Sequence, residues 1–594
     1  MKKLKMSFIV TMLLTLSMAY GQVNNATGVN KYEGSSSETV YVHHSGSLFF
    51  TGEYLFYKVY CMEIEGEKLS RLSKVAYVEL IGQNQDIIFR HKIPLEKGIG
   101  QSDFFIPNSV PSGNYKLIAY TQWMKNEGVE HFFQSDISIV NPYRGNQLPI
   151  LNNFTEESVS SATDASEKVI PIIYEGDVSF KEFALKLNKR AFKRREKVSL
   201  TLRNFIREKG IGNYSISVKK VDELPIVPNH TAMSFHKLVS NRSKGAKNGA
   251  RQLAYVPESS GAIVSGKVLE KQIGRAASGK DVAISISGND FFFKVATTDN
   301  SGAFSFSLDP YYVKETAFFQ VLNEDRDSFK IAIDERQSSD YSDLSFASFT
   351  ISESMEDAIK RRSIYNQIEN GYFSVKPDTV RSSPLEKPFT AYERMTRYDL
   401  DDYTRFPTME EVFTEIVKAV WTAKDDNGKR VVKVFNNEFS APSEDPPLLF
   451  IDGNFVADPE DFLSYNALKV QKVNMLRNKY QFGTKEYQGV ILIETILGDY
   501  QSTSTEDYAK EVTLFPSQRK KHYYFQNYSD ASSSTRIPDF RSQLLWEPSV
   551  VLTSSEMNFT FFTSDNLGKY EISLEGFTSE GKPVSLREII VVEE

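Results

Sequence analysis

Apolar and polar residues alternate with a period of two over most of this chain, which is the pattern of strands with one buried face. Lys74-Val75-Ala76-Tyr77-Val78-Glu79-Leu80 opens one such run, Gln83 to Asp86 supplies a polar turn, and Ile87-Ile88-Phe89 begins the next strand. The pattern returns at Pro111 to Thr121, Arg194 to Leu202, Gly212 to Val218, Val264 to Val268, Val282 to Ile286 and Thr298 to Phe306. It closes the chain at Phe559 to Asp565 and Gly568 to Gly576. Helical spacing is rarer. It predicts a helix over Glu353 to Gly371, with Met355, Ala358, Ile359 and Ile364 on one face. A second helix is predicted from Thr408, a suitable N-cap, followed by Glu410 and Glu411 and the stripe Val412, Phe413, Ile416 and Val417. Pro446 to Gly453 and Gly489 to Thr495 are apolar strands separated by a helical span, so one α+β unit interrupts the strand-rich chain. The fold class that follows is mainly β: tandem β-sandwiches with one α+β domain.

Length and composition bound the reading. A chain of 594 residues predicts about three to five domains. The hydrophobic content of 40% and charged content of 25% are ordinary for globular cores, and an aromatic content of 13% favours strands. A net charge of −7 argues against nucleic acid as a partner. Lys2, Lys3 and Lys5 precede an apolar run from Met6 to Met18 and a small-x-small site at Ala19-Tyr20-Gly21, which reads as a signal peptide over residues 1–21. That run is too short to span a membrane, and no other stretch is long enough. Cys61 is the sole cysteine, so no intramolecular disulfide forms, and it stands far from any lipid-attachment position. Export without transmembrane anchoring is therefore expected, to the periplasm or the cell surface.

Several segments resemble known families. Thr51-Gly52-Glu53-Tyr54-Leu55-Phe56 and Pro111-Ser112-Gly113-Asn114-Tyr115-Lys116-Leu117-Ile118-Ala119-Tyr120-Thr121 are similar to the opening and closing strands of macroglobulin-type domains of the alpha-2-macroglobulin family. Val264-Ser265-Gly266-Lys267-Val268 with Thr298-Asp299-Asn300-Ser301-Gly302-Ala303-Phe304 resembles a carboxypeptidase regulatory-like sandwich, a module used as spacer or adhesion domain. Phe450-Ile451-Asp452-Gly453, with Gly489-Val490-Ile491-Leu492-Ile493-Glu494-Thr495, resembles the plug domain of TonB-dependent outer-membrane receptors. The Tyr403 to Val412 block resembles the helix preceding such a unit in exported Bacteroidetes proteins with macroglobulin domains. Only 99 residues follow Thr495, too few for a receptor barrel of about twenty strands of about 9–11 residues each. Arg536 to Pro548 looks like the entry to a late macroglobulin-family sandwich.

The layout expected from these readings is a signal peptide at 1–21, a macroglobulin-like sandwich at 38–143 and a linker at 144–180. A second such sandwich with a flexible basic loop follows at 181–260, then a regulatory-like sandwich at 261–335 and a helix and linker at 336–388. The plug-like domain occupies 389–500, and a C-terminal macroglobulin-like sandwich 501–594. Asn152 to Lys168 and Ser374 to Pro388 carry the linker composition.

Candidate chemistry is sparse. Cys61 sits in Val59-Tyr60-Cys61-Met62, with no Gln placed for the thioester that covalent macroglobulin traps use, and reads as a buried strand residue. His43, His44, His91, His131, His230, His236 and His522 form no H-E-x-x-H pattern and read as surface or rim side chains, with His230 and His236 in a loop-like segment. No nucleophile elbow or phosphate-cradling glycine loop is present. No catalytic, cofactor or metal residues are therefore assigned, and no enzyme activity is expected. Asp452, Gly453 and Gly489 are the structural or docking residues of the plug-like motif. Thr379, in Asp378-Thr379-Val380, fits the O-glycosylation pattern of exported Bacteroidetes proteins.

The resemblances imply a noncatalytic scaffold or binding subunit at the Bacteroidetes outer membrane, whose partner is a barrel protein engaged in uptake or surface-protein assembly. The alternative is a noncovalent protease-binding macroglobulin relative, with Asn241 to Arg251 as its bait. A carbohydrate-active enzyme would instead need paired carboxylates and aromatic platforms.

Overall fold

The computed structural model describes residues 32, 35–65, 68–151, 182–245, 253–288, 291–312, 314–335, 338–381, 389, 394–425, 428–435, 443–500, 506–529 and 536–594. The signal-peptide reading at 1–21 and the linker at 152–168 lie outside them, as do Lys247 and Arg251 of the basic stretch. The described residues form two compact units: one from 34–261, 338–382 and 517–594, the other from 262–337 and 383–516.

Two β-sandwiches make the first unit. In one, Glu38–His44, Tyr54–Glu63, Lys68–Leu69 and Ile99–Phe105 form a sheet facing a five-stranded sheet of Leu48–Phe50, Phe133–Val140, Gly113–Tyr120, Val75–Gly82 and Ile87–Pro94. Glu38–His44 is buried at every position, polar and apolar alike. One of its faces looks into its own sandwich and the other meets the second sandwich, where the Tyr41 and Tyr60 rings lie 5.7 and 5.3 Å from Phe577.

The second sandwich corrects the predicted boundaries. Residues 181–260 and 501–594 do not form separate sandwiches; they interleave in one. Gly212–Lys220 sits between Gly568–Thr578 and Gln543–Leu552, and Lys197–Asn204 pairs with both Phe183–Leu187 and Glu556–Phe562. Neither segment alone could satisfy the backbone donors and acceptors of its inner strands, so each supplies the other's ladder. Val198, Leu200 and Leu202 from the early segment and Phe561, Ile572 and Leu574 from the late one share a core.

Helix α1, Ala232–Gly245, follows, so His236 and Asn241 to Gly245 are helical and not in a loop as expected. Helix α2 spans Glu356–Gly371. Met355, Ala358 and Ile359 pack beside Phe50 and Phe349 as predicted, but Ile364 is exposed. The contact face continues instead through Arg362, Asn366 and Asn370, whose side chains bond carbonyls of the first sandwich.

The second unit pairs a smaller sandwich with an α+β module. Ala303–Leu308, Ala262–Glu270 and Phe329–Ile333 face a sheet of Phe292–Thr297, Asp281–Ile286, Thr316–Val321 and Ala509–Thr513. That last strand was expected in the C-terminal sandwich. It belongs here because it completes the free edge of Thr316–Val321.

The α+β sheet runs Thr396–Asp399, Val470–Phe482, Lys485–Thr495, Leu448–Ile451 and Asn454–Phe455. Helices α3 (Met409–Glu415) and α4 (Pro459–Leu463) cover one face, with Val412, Phe413 and Phe462 against Ile491 and Ile493. Thr408 caps α3 as the sequence suggested, and Glu411 reaches back to make the cap reciprocal. The opposite face packs Phe450, Val490 and Leu492 on Phe291 and Phe293 of the small sandwich. Burial on both faces is why Val490 to Ile493 reads as a continuous apolar run.

Candidate binding cleft

The cleft is built on helix α2. Residues 362, 366 and 370 recur at four-residue spacing and share one face. Arg362 donates to the Leu48 carbonyl at 3.0 Å, Asn366 to Thr51 O at 2.8 Å and Asn370 to Gly52 O at 3.0 Å. Three consecutive turns thus bind carbonyls of one short stretch of the first sandwich. Arg362 also forms a two-pronged pair with Glu53, at 2.9 and 2.8 Å, and an ion pair with Asp222, while its guanidinium lies 4.6 Å from the Phe50 ring centre. Burial by itself would raise the Glu53 pKa, but the Arg362 charge and hydrogen bonds outweigh it and hold the carboxyl below the usual range.

Between this helix and both sandwiches lies a cleft of about 240 Å³. Its walls are aromatic: Tyr54, Phe56, Tyr365, Tyr523 and Trp546 all contribute. Trp546 stacks near Phe56 at 6.0 Å and tilts against His43 at 5.2 Å, and its indole N–H has no acceptor among the described residues. Lys219 reaches the cleft 4.4 Å from the Phe49 ring centre. Burial, then the nearby Arg362 charge, lowers its pKa to about 8. Most other charges are paired, Arg361 with Glu223, Lys376 with Glu369 and Arg541 with Asp539, while Asp378 accepts from Tyr524 N at 2.8 Å. Such a surface can hold a ligand by ring stacking and a few directed polar contacts.

The residues singled out in the sequence lie elsewhere. Asp452 and Gly453 both have positive φ, 48° and 81°, and turn the hairpin that pairs Phe450 with Phe455. The Asp452 carboxylate accepts from Thr495 N at 2.8 Å, Thr495 Oγ1 at 2.6 Å and Tyr500 N at 3.0 Å, tying the turn to the end of the neighbouring strand. Gly489 has φ 89° beside a register shift, where a Cβ would stand 2.9 Å from Leu476 O. Thr379 is exposed on a two-residue strand paired with Lys521–His522.

Cys61 is buried, and burial followed by the Glu38 charge pushes its thiol pKa up. Two histidines depart from the surface reading: His43 and His44 are 4% and 5% exposed. His43 Nδ1 lies 2.6 Å from Ser215 Oγ, and His44 bridges Gly46 O and Ser135 Oγ at 2.7 and 2.9 Å. Among the described residues, no three His, Cys, Asp or Glu side chains converge as a metal site would require. No described helix is long and apolar enough to cross a membrane. The cleft itself escaped sequence reasoning; the one available signal was the Arg362, Asn366, Asn370 spacing.

No family model and no curated protein matches the sequence. Among solved structures, the chain is similar to a Salmonella alpha-2-macroglobulin reacted with methylamine, at 9% identity and a TM-score of 0.22, covering 94% of this chain and 39% of that one. It is also similar to an Escherichia coli alpha-2-macroglobulin activated by porcine elastase, at 10% identity and a TM-score of 0.23, covering 94% and 44%. The Yersinia pseudotuberculosis adhesin InvE matches at 9% identity and a TM-score of 0.13, covering 50% and 57%. The chain therefore spans less than half the length of those two macroglobulins.

Proposed function

We propose that this chain is a noncatalytic binding scaffold of a bacterial outer-membrane complex, exported and working beside a barrel protein in uptake or surface-protein assembly. The observation behind this reading is the fusion of two sandwiches and helix α2 around one aromatic cleft. The three-turn carbonyl ladder and the Arg362 pairs hold those parts in fixed relation, which suits a surface that presents binding residues. The α+β module, with its strand–Asp-Gly–helix–strand order resembling a receptor plug, is the part assigned to dock on the barrel partner.

A mild-detergent pull-down of the tagged protein from outer membranes, with mass spectrometry, tests the reading. A stoichiometric barrel protein is expected, and deletion of Tyr403–Thr495 should release it. Recovery of the chain alone from the soluble periplasmic fraction would overturn the reading and make noncovalent protease binding the next activity to assay.

A further inference from the structure

Beside the charged cleft, and sharing Tyr54, Asn370 and Phe373 with it, the surface opens into a second groove of about 520 Å³. That volume falls in the range of small-ligand sites, roughly 300–1,000 Å³. Phe105, Tyr143 and Phe373 stand in it 41%, 48% and 46% exposed. Large rings gathered in water on one surface carry a hydrophobic cost that a ligand would relieve. The Tyr54 and Phe373 planes lie within 16° of each other at 5.9 Å, and Phe105 tilts against Tyr54 at 5.1 Å. The rings therefore form a stepped shelf.

The polar groups of this groove are amides. Asn370 Nδ2 donates to Gly52 O and Asn366 Oδ1, and Gln367 Nε2 donates to Ser363 Oγ. Asn108, Gln367 and Asn370 are all exposed, so their amide edges face outward. None of the lining side chains is acidic or basic, although 25% of the chain is charged and the adjoining cleft carries ion pairs. An ionic ligand would meet no counter-charge here, and a purely apolar one would leave the amides unpaired at a cost.

We propose that this shelf is a binding subsite for a neutral oligosaccharide. A pyranose ring has an apolar C–H face that lies on an aromatic ring and a rim of hydroxyls that both donate and accept. Phe373, Phe105 and Tyr143 supply the rings, and Asn108, Gln367 and Asn370 supply amides for the hydroxyl rim. The bonds that fasten Asn366 and Asn370 to the first sandwich also place Gln367 and Phe373, so the shelf is organised before ligand arrives.

The inference rests on reading this surface as a binding site. Its test uses the isolated chain, so it can fail or succeed independently of the barrel partner. The full-length protein is run in native gels containing mannan, mixed-linkage β-glucan, galactomannan or amylopectin, with alginate as an anionic control. A proline-rich peptide is titrated separately by calorimetry. Retardation by at least one neutral polysaccharide is expected. Phe373→Ala and Tyr143→Ala should each weaken it by about tenfold without moving the thermal unfolding curve. The proposal is overturned by mobility unchanged in all four neutral gels, by retardation that neither variant reduces, or by binding of alginate or the peptide alone.

Discussion

Arg362 and Glu53, 309 residues apart, meet through two parallel hydrogen bonds, Nε to Oε1 at 2.9 Å and Nη2 to Oε2 at 2.8 Å. The fork geometry fixes orientation as well as distance. Because the same guanidinium also holds Asp222 and the Leu48 carbonyl, this side chain is the most connected of the ties that fix helix α2 on its unit.

Arg362→Ala leaves two carboxylates in the interior without their cation. A loss of about 3–5 kcal/mol is expected, measured as a lower denaturant midpoint by tryptophan fluorescence. The pair also sets an acid limit. The folded pKa of Glu53 lies below its ordinary value of 4.5, so its contribution is present above that pH and is lost as the pH falls through the folded value. Arg362→Ala should therefore lose less stability on acidification below 4.5 than the parent. Equal acid loss in both proteins would refute the assignment.

His44 gives a second pH window. Burial is the main cause that lowers its pKa to about 4 from 6.5, and burial holds His43 well below its ordinary value too. Both stay neutral in the fold while the unfolded chain takes up protons below 6.5. Stability should thus be unaffected by these groups above 6.5. It should fall as the pH drops towards 4, by up to about 1.4 kcal/mol per pH unit for each histidine. His44→Gln should flatten this slope in urea titrations collected across that range, and an unaltered slope would show that other groups cause it.

Asp452→Ala removes the acceptor for three donors and places a residue without local side-chain hydrogen bonds at φ 48°. A loss of about 2–3 kcal/mol is expected in the α+β module. Asp452→Asn, which keeps one carbonyl oxygen and tolerates that φ, should lose less. Amide hydrogen exchange at Thr495 and Tyr500 is the direct readout, because those N–H groups lose their acceptor. Unchanged protection in Asp452→Ala would contradict the tether.

Gly489→Ala puts a methyl group 2.9 Å from Leu476 O and 3.0 Å from Val434 Cγ1, on a backbone at φ 89°. Strain of about 1–3 kcal/mol follows from the dihedral alone, and the crowding adds to it. The α+β module should melt earlier while the two-sandwich unit keeps its own transition. A variant with the parent's melting profile would mean the strand can shift to admit the methyl group.

Local patterns were legible in the sequence because their causes are local. Period-two runs such as Gly212–Val218 and Phe559–Phe562 are strands, Thr408 caps a helix, and Asp452-Gly453 turns a hairpin through its own backbone preferences. Strand partnership was not legible. Gly212–Lys220 pairs with Gln543–Leu552 and Gly568–Thr578 across more than three hundred residues, and alternation says which face is buried without saying against what. The same limit hid the cleft. Arg362, Asn366 and Asn370 have the composition of a solvent-facing stripe, and bind the first sandwich only because the carbonyls of Leu48, Thr51 and Gly52 lie opposite them. The sequence by itself determined the mainly β character, the turns and the helix start, all governed by neighbours along the chain. Tertiary structure alone decided which segments share a sandwich and which polar side chains are buried, since a buried polar group is tolerated only where distant backbone or an opposite charge satisfies it.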